Sequence, residues 1–318
     1  MKYINKLAGI ALVATAAAAG AADFPTKPVR LVVGFAPGGG TDTTARALAH
    51  KLTGSFGQQV IVDNRPGHSG TIAADIVSKS VADGHTVLLG TIALVINPSL
   101  TAKMPFDTFK DLIPVSRAAD STNILVVHPA VPAKSVKDLV ALAKAKPLNA
   151  GSSGIGGTGH LAIELFNLQA GVKMTHVPYK GGGPAIVDLL AGNIQLIFAT
   201  GASSIGHIKA GKIRALGVTT AKRSALVPDL PTIAESGLPG YEANNWNAFM
   251  VAAGTPKPII ARLNKEFRAA LSAPDIKEIL FKQGLDAAPS SPEDLAAYMK
   301  SEFVKWAKVI KAAGVKVE

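Results

Sequence analysis

The 318-residue chain contains no cysteine, which excludes disulfides and attachment of a lipid to cysteine, and removes the usual ligand of structural zinc. Aromatic residues make up only 5% of the chain and charged residues 17%. The net charge is +11, yet no basic block and no nucleic-acid-binding motif accompanies it. We therefore expect no nucleic acid among the partners, and a diffuse positive field that favours a small anionic ligand.

Only the N-terminus has an uninterrupted apolar run. Lys2 and Lys6 precede the uncharged stretch 7–19, and the small residues Gly20, Ala21 and Ala22 follow it. This pattern predicts a cleavable signal peptide over residues 1–22, although a retained anchor helix is the alternative. A cysteine-free exported chain is typical of the bacterial periplasm.

Catalytic and metal-binding patterns are missing from the sequence. Its histidines form no HExxH motif and no close pair, and no G-x-S-x-G nucleophile motif occurs. We therefore predict no catalytic residue, no metal ligand and no cofactor. A periplasmic enzyme stays open as an alternative, without a visible nucleophile or acid–base pair.

Two glycine-rich turns are the most informative feature. The first covers Phe35–Asp42 and the second Gly151–His160, and each connects a strand-like stretch to a predicted helix. A helix N-terminus attracts anions through its free N–H groups, and glycines allow the backbone to approach a ligand. We expect Thr41 and Thr158 to cap these helices. The alternative is that both are ordinary tight turns without a ligand.

The second turn also matches a dinucleotide-binding fingerprint at Gly154, Gly156 and Gly159. That fingerprint requires a preceding central strand and an acidic residue about 20 positions later. Residues 148–152 look like a poor central strand, and residues 175–180 include no acid. A nucleotide site is therefore not expected.

Strand and helix patterns alternate along the chain. Predicted strands at 29–35, 59–63 and 85–89 enclose helices at 41–52 and 71–81, and a second set of strands and helices runs from 123 to 219. The last sixty residues are predicted to be helical, with a final helix that begins after Ser291 and ends at Gly314. Two α/β lobes with a cleft between them follow from this order.

The chain also resembles the solute receptors of tripartite tricarboxylate transporters, the Bug-type proteins. The resemblance covers nearly all of the mature chain. It rests on several short motifs together: Phe24-Pro25, Pro37-Gly38-Gly39-Gly40-Thr41-Asp42, Asp63-Asn64-Arg65-Pro66-Gly67, Asp83-Gly84-His85-Thr86, Asn97-Pro98, Gly159-His160-Leu161, His176-Val177-Pro178-Tyr179-Lys180-Gly181 and Pro231-Thr232-Ile233.

The resemblance implies a periplasmic receptor with a type II, Venus-flytrap fold and two crossing hinge strands. One lobe would include residues 23–124 and about 226–318, and the other residues 125–225; the assignment of 226–250 stays open. The protein would capture a small carboxylate, such as a di- or tricarboxylate, an aromatic acid or an acidic amino acid. It would deliver this ligand to membrane permease subunits and act as a monomer. A sensor role in two-component signalling is the alternative.

The same resemblance implies a ligand site formed by both turns. Asp42 is expected to serve the helix dipole or pair with Arg46. Two positions depart from the family's pattern: His68-Ser69 follows Gly67 where small residues are usual, and Ala199 stands where aspartate is frequent. The predicted ligand-binding residues are Phe35, Gly38, Gly39, Gly40, Thr41, Asp42, Thr91, Ser152, Ser153, Gly154, Gly156, Thr158, His160 and Thr200.

Overall fold

The computed structural model describes residues 24–38, 40–101, 103–179 and 181–316. The predicted signal peptide, residues 1–22, and the predicted site residue Gly39 lie outside the described residues. Among the helices that the structure describes, none is both long and apolar enough to cross a membrane.

Eleven strands of the described chain form two separate sheets. The first sheet has the order β11-β4-β10-β3-β1-β2, and the second has the order β7-β6-β8-β5-β9. The strands are β1 (Val29–Val33), β2 (Val60–Asn64), β3 (Thr86–Thr91), β4 (Leu112–Ser121), β5 (Asn123–Val127), β6 (Asn149–Ser152), β7 (Thr175–Pro178), β8 (Leu196–Thr200), β9 (Arg214–Val218), β10 (Asn245–Ala252) and β11 (Leu285–Ala287).

Helices connect and cover the two sheets. A short 3-10 turn at His68–Gly70 precedes the second helix. The helices are α1 (Gly40–Phe56), α2 (Thr71–Ser78), α3 (Ala93–Leu100), α4 (Val136–Ala145), α5 (Thr158–Ala170), α6 (Gly182–Leu190), α7 (Gly201–Lys209), α8 (Lys257–Ser272), α9 (Pro274–Lys282) and α10 (Pro292–Ala313).

The chain passes between the sheets at two adjacent places. Strand β4 is followed after the single residue Thr122 by β5. On the return, Thr219 donates its backbone N–H to the Asn123 oxygen at 2.9 Å and accepts from Ala243 N–H at 3.0 Å. The two crossings are therefore hydrogen-bonded to each other, which is the arrangement expected of a paired hinge.

A continuous apolar core lies behind this crossing. The last helix, α10, contacts β4 of the first sheet, α3, and α5, the helix that follows β6 of the second sheet. The indole N–H groups of Trp246 and Trp306 both donate to Glu302 Oε2, at 3.4 and 3.0 Å. Glu302 also pairs with Lys305, which compensates its buried charge.

The α/β class, the two sheets and most predicted elements are confirmed. Ser291 caps α10 through the Asp294 N–H, and Gly314 closes it in a left-handed conformation, as predicted. The assessment of residues 148–152 was wrong, because β6 lies between β7 and β8 in the second sheet. Its Ala150 and Gly151 are buried, so small side chains suit this central position.

Candidate functional site

The C-terminal ends of parallel strands bring the predicted turns together within each sheet. Strands β1, β2 and β3 run parallel, and so do β6, β7 and β8. The turns that follow them therefore emerge from one edge of each sheet, where ligands of open α/β sheets usually bind. In the second sheet, this edge carries the N-termini of α5, α6 and α7.

The first glycine-rich turn is held by the carboxylate of Asp42. Asp42 is buried, and its Oδ2 accepts the Gly38 N–H and the Arg46 Nε–H, both at 2.9 Å. Asn64 Nδ2 donates to Asp42 Oδ1 and to the Phe35 carbonyl, also at 2.9 Å. Asp42 thus ties the turn to β2, and the predicted pairing with Arg46 is confirmed.

These bonds also set the charge state of Asp42. Burial alone would raise the pKa of this carboxyl group, but the hydrogen bonds from Arg46, Gly38 and Asn64 outweigh it. The pKa of Asp42 therefore lies below its usual value. Its carboxylate is already engaged by three donors, so it acts as an anchor of the turn.

A strained turn follows β2. His68 and Ser69 have φ values of 45° and 52°, in the left-handed region that residues other than glycine seldom adopt. The turn packs closely on the end of β1, because a Cβ on Gly34 would lie 2.5 Å from the Gly70 Cα. Only glycine at position 34 allows this approach.

The second glycine-rich turn is held by two histidines. Gly156 N–H donates to His160 Nδ1 at 3.0 Å, and Ser152 Oγ lies 2.6 Å from His176 Nε2. The two imidazole rings stack with centroids 3.7 Å apart. Burial, followed by the charge of His160, lowers the pKa of His176 to about 4. His176 is therefore neutral at neutral pH.

Three helix N-termini surround a cavity of about 330 Å³ in the second sheet's edge. Its lining includes Thr158 at the start of α5, Gly182 and Gly183 at the start of α6, and Thr200 and Ser203 at the start of α7. Each N-terminus offers free N–H groups and about half a positive charge, so the cavity can hold an anion without a cationic side chain.

A larger cavity of about 800 Å³ lies between the edges of the two sheets. On one side it is lined by Phe35, by the strained turn at His68–Ser69, and by α2 and α3. On the other side it is lined by Ser153–Gly157. Ser153 lines both cavities and is exposed, so a ligand in either cavity can reach it.

The structure distributes the predicted site residues over several places. Phe35, Ser153, Gly154 and Gly156 line the large cavity, whereas Ser152, Ser153, Thr158 and Thr200 line the smaller one. Thr91 lies with Phe35 at a third, small cavity beside β3. A further group lines none of these three cavities among the described residues: Gly38, Gly40, Thr41, Asp42 and His160.

The predicted capping roles of the two threonines are wrong. Helix α5 begins at Thr158 itself, and its N-cap is Gly157, with no side-chain cap. Helix α1 begins at Gly40, so Thr41 lies inside its first turn. Neither threonine therefore stands at the N-cap position of its helix.

Sequence reasoning missed one whole wall of the large cavity. This wall comes from the turn after β2, from α2 and α3, and from the segment after α3, and includes His68, Ser69, Ile72, Leu100 and Lys103. The signals in the sequence were the departure from small residues after Gly67 and the motif Asn97-Pro98, whose Asn97 lines this wall. Among the described residues, no three His, Asp or Glu side chains are grouped so as to hold a metal ion.

Comparison with known proteins agrees with this architecture. Residues 44–315 match the family model of the tripartite tricarboxylate transporter family receptor. Protein BugT of Bordetella pertussis is 37% identical over 317 residues, which cover 97% of this chain and 96% of BugT.

Two solved structures are similar over most of the chain. Rpa4515 of R. palustris, solved with adipate, has a TM-score of 0.76 and 40% identity, covering 92% of this chain and all of that one. MatC of Rhodopseudomonas palustris, solved with bound malate, has a TM-score of 0.72 and 30% identity, covering 90% of this chain and all of that one. The chain therefore belongs to the tripartite tricarboxylate transporter receptor family, the Bug-type solute-binding proteins.

Proposed function

We propose that this protein is an exported receptor that captures a small carboxylate between its two sheets and delivers it to a tripartite tricarboxylate-type permease. The observation that carries the proposal is the cavity of about 800 Å³, because the C-terminal edges of both sheets contribute to it. Sites of this size at such edges are typical of small-molecule binding. Adipate and malate in the two related structures support a carboxylate.

An anion is favoured by the helix N-termini rather than by an arginine clamp. Three N-termini converge on the smaller cavity, and Ser153 connects its lining with that of the larger one. Among the described lining residues, Lys103 contributes a cationic side chain to the large cavity. We propose that backbone N–H groups and the hydroxyls of Ser153, Thr158 and Thr200 hold a carboxylate group, with Lys103 adding long-range attraction.

The lobes would follow the two sheets. We propose residues 23–124 and about 226–318 as one lobe and residues 125–225 as the other, joined at the crossing near Thr122 and Thr219. Ligand binding would draw the two edges together, because a ligand that contacts both stabilises the closed arrangement. The protein would act in the periplasm as a monomer after removal of residues 1–22.

The Ser152–His176 pair does not support catalysis. Its 2.6 Å separation resembles that of a nucleophile and its base. Ser152, however, is only 3% exposed, and its Oγ also accepts the Gly154 N–H and donates to the Gly154 carbonyl. His176, with a pKa near 4, is a poor general base at neutral pH. We therefore propose binding without turnover.

Titration calorimetry with a panel of carboxylates tests the receptor function, and mass spectrometry of the recovered ligand tests for turnover. We expect at least one carboxylate to bind and to be recovered unchanged after long incubation. A matched panel of amines of the same carbon skeletons serves as the control and is expected not to bind. Binding of the amines alone, or a chemically altered acid, would contradict the proposal.

A further inference from the structure

Exposed aliphatic side chains line the large cavity from both sides. Ile72 of α2 is 41% exposed and Ile155 of the second turn is 55% exposed. Both line the same cavity, although they belong to different sheets. Single exposed aliphatic residues are common on protein surfaces, but two that meet at one cavity point to a shared apolar occupant.

Further apolar residues extend this surface. Ile76 follows Ile72 by one helical turn, so the two lie on the same face of α2. Leu100, the last residue of α3, and Pro105 line the cavity as well. One wall therefore has an apolar strip that runs over two helices and the segment after them, beside the polar residues Thr71, Asn97 and Thr101.

The position of Ile72 depends on a glycine in the preceding turn. A Cβ on Gly67 would lie 2.5 Å from Ile72 Cδ1. The missing side chain at position 67 thus leaves room for Ile72 in its observed place. Ile72 therefore packs directly on the backbone of this turn.

Two charged residues lie beside the apolar strip of this wall. Asp75 also lines the cavity, but its carboxylate is paired with Lys79 at 2.6 Å. Lys103 supplies a positive charge on the same side. A ligand in this cavity therefore meets the aliphatic strip, the ammonium group of Lys103 and neighbouring polar side chains on one side, and Ile155 within the turn Ser153–Gly157 on the other.

We infer that the ligand is a carboxylate with an apolar body, such as an unsubstituted ring or methylene chain, enclosed between Ile72 and Ile155. This inference rests on the proposed receptor function and names the class of carboxylate. A ligand hydroxyl group that faces Ile72 or Ile155 would lose its hydrogen bonds to water. A methylene group in the same place would instead bury aliphatic surface, which is favourable.

Matched pairs of acids test this inference by calorimetry on the purified protein. Adipate is compared with galactarate, its tetrahydroxy analogue, and cyclohexanecarboxylate with quinate, its hydroxylated analogue. The members of each pair share their charge and carbon skeleton. We expect the apolar member to bind at least tenfold more tightly in each pair that binds, and the two pairs to distinguish a dicarboxylate from a monocarboxylate. Equal or tighter binding of galactarate or quinate would overturn the inference.

Variants then locate the preference. Ile72→Asn and Ile155→Asn are expected to reduce the preference for the apolar acid at least fivefold, because each replaces apolar surface by an amide. Ile279→Asn is the control, since Ile279 is 38% exposed on α9 and lines neither cavity. Melting curves establish that each variant is folded, and the wild-type comparison of acids needs no variant.

The outcomes separate this inference from the receptor function. Tight binding of hydroxylated acids with no preference for apolar ones would overturn the inference and leave the receptor function supported. Failure of every carboxylate to bind would overturn both. An unchanged preference in both isoleucine variants would contradict the assignment to Ile72 and Ile155.

Discussion

The two glycine-rich turns look alike in the sequence, yet the structure anchors them by different chemistry. The first is held by the buried carboxylate of Asp42, which accepts bonds from Gly38, Arg46 and Asn64. The second is held by the imidazoles of His160 and His176. Two turns that are both rich in glycine therefore differ in how strongly their anchors depend on protons, and among the described residues only the second lines the large and the smaller cavity with its glycines.

Protonation affects the two anchors in different pH ranges. The pKa of Asp42 is lowered from 3.8, so its stabilising bonds persist above pH 4. The pKa of His176 is lowered from 6.5 to about 4, so protons bind more readily to the unfolded chain between these values. We therefore expect the second turn to respond to mild acid and the first to be insensitive to it.

The largest expected effect is that of breaking the first anchor. Asp42→Ala leaves the Gly38 N–H, Arg46 and Asn64 without their acceptor. We expect the free energy of unfolding to fall by about 3 kcal/mol at pH 7, because several bonds to a buried charge are lost together. Urea denaturation measures this change.

A surface carboxylate provides the matched control. Asp275 pairs with Lys51 at 3.0 Å, and both side chains are about half exposed. Asp275→Ala is expected to leave the urea midpoint nearly unchanged, because exposed ion pairs contribute little. Equal destabilisation by the two substitutions would show that the hydrogen bonds of Asp42 stabilise the fold no more than an exposed ion pair does.

Acid is expected to weaken the second anchor. As the pH falls from 6.5 toward 4, His176 must either stay neutral in the folded protein or break its bond with Ser152. We expect the free energy of unfolding to fall by up to about 2 kcal/mol in this range, after allowance for solvent screening of a half-buried group. Denaturation curves at several pH values measure it.

The difference between wild type and His176→Gln isolates this effect. The groups facing His176 are His160 and Glu164, and both are retained in the variant. Asp120 acts in the opposite direction, because burial raises its pKa to about 6 and its contribution is lost as the pH rises. Because both proteins contain Asp120, its contribution cancels in the difference between them. His50→Gln, on the exposed face of α1, is the control and should keep the wild-type pH profile.

The two glycine-rich turns of the site could be predicted from the sequence, whereas the turn after β2 and helix α3, which line the large cavity, could not. Both turns, the helices after them and the pairing of Asp42 with Arg46 follow from local patterns of glycine, charge and apolar periodicity. Helix α3 was not predicted, because its buried run Leu94–Ile96 could equally be a strand and Pro98 interrupts it. The positive φ values of His68 and Ser69 were not predicted either, because a positive φ is expected from sequence mainly at glycine.

Ligand affinity sharpens the comparison of the turns. Ser153 lines both cavities, whereas Thr41 lines neither. We expect Ser153→Ala to weaken binding of a carboxylate about tenfold, equivalent to about 1.4 kcal/mol, through loss of a hydrogen bond to a charged group. Thr41→Val should change the Kd less than threefold in the same calorimetric titration. The reverse order would place the carboxylate at the first turn.

The smallest expected effect concerns the strained turn after β2. Ser69 has φ 52°, where a side chain costs roughly 1–2 kcal/mol, and replacing it by glycine removes this strain. Glycine also gains freedom in the unfolded chain, which offsets roughly 0.5–1 kcal/mol. Ser69→Gly should therefore stabilise the protein by about 0.5 kcal/mol in urea denaturation. Ser55→Gly, inside helix α1, is the control and should destabilise the protein, because the backbone there is right-handed and glycine lowers helix stability.

If strain at Ser69 holds the turn in the shape that lines the cavity, Ser69→Gly should also weaken ligand binding while it raises stability. A variant with higher stability and unchanged Kd would show that the strain plays no part in binding.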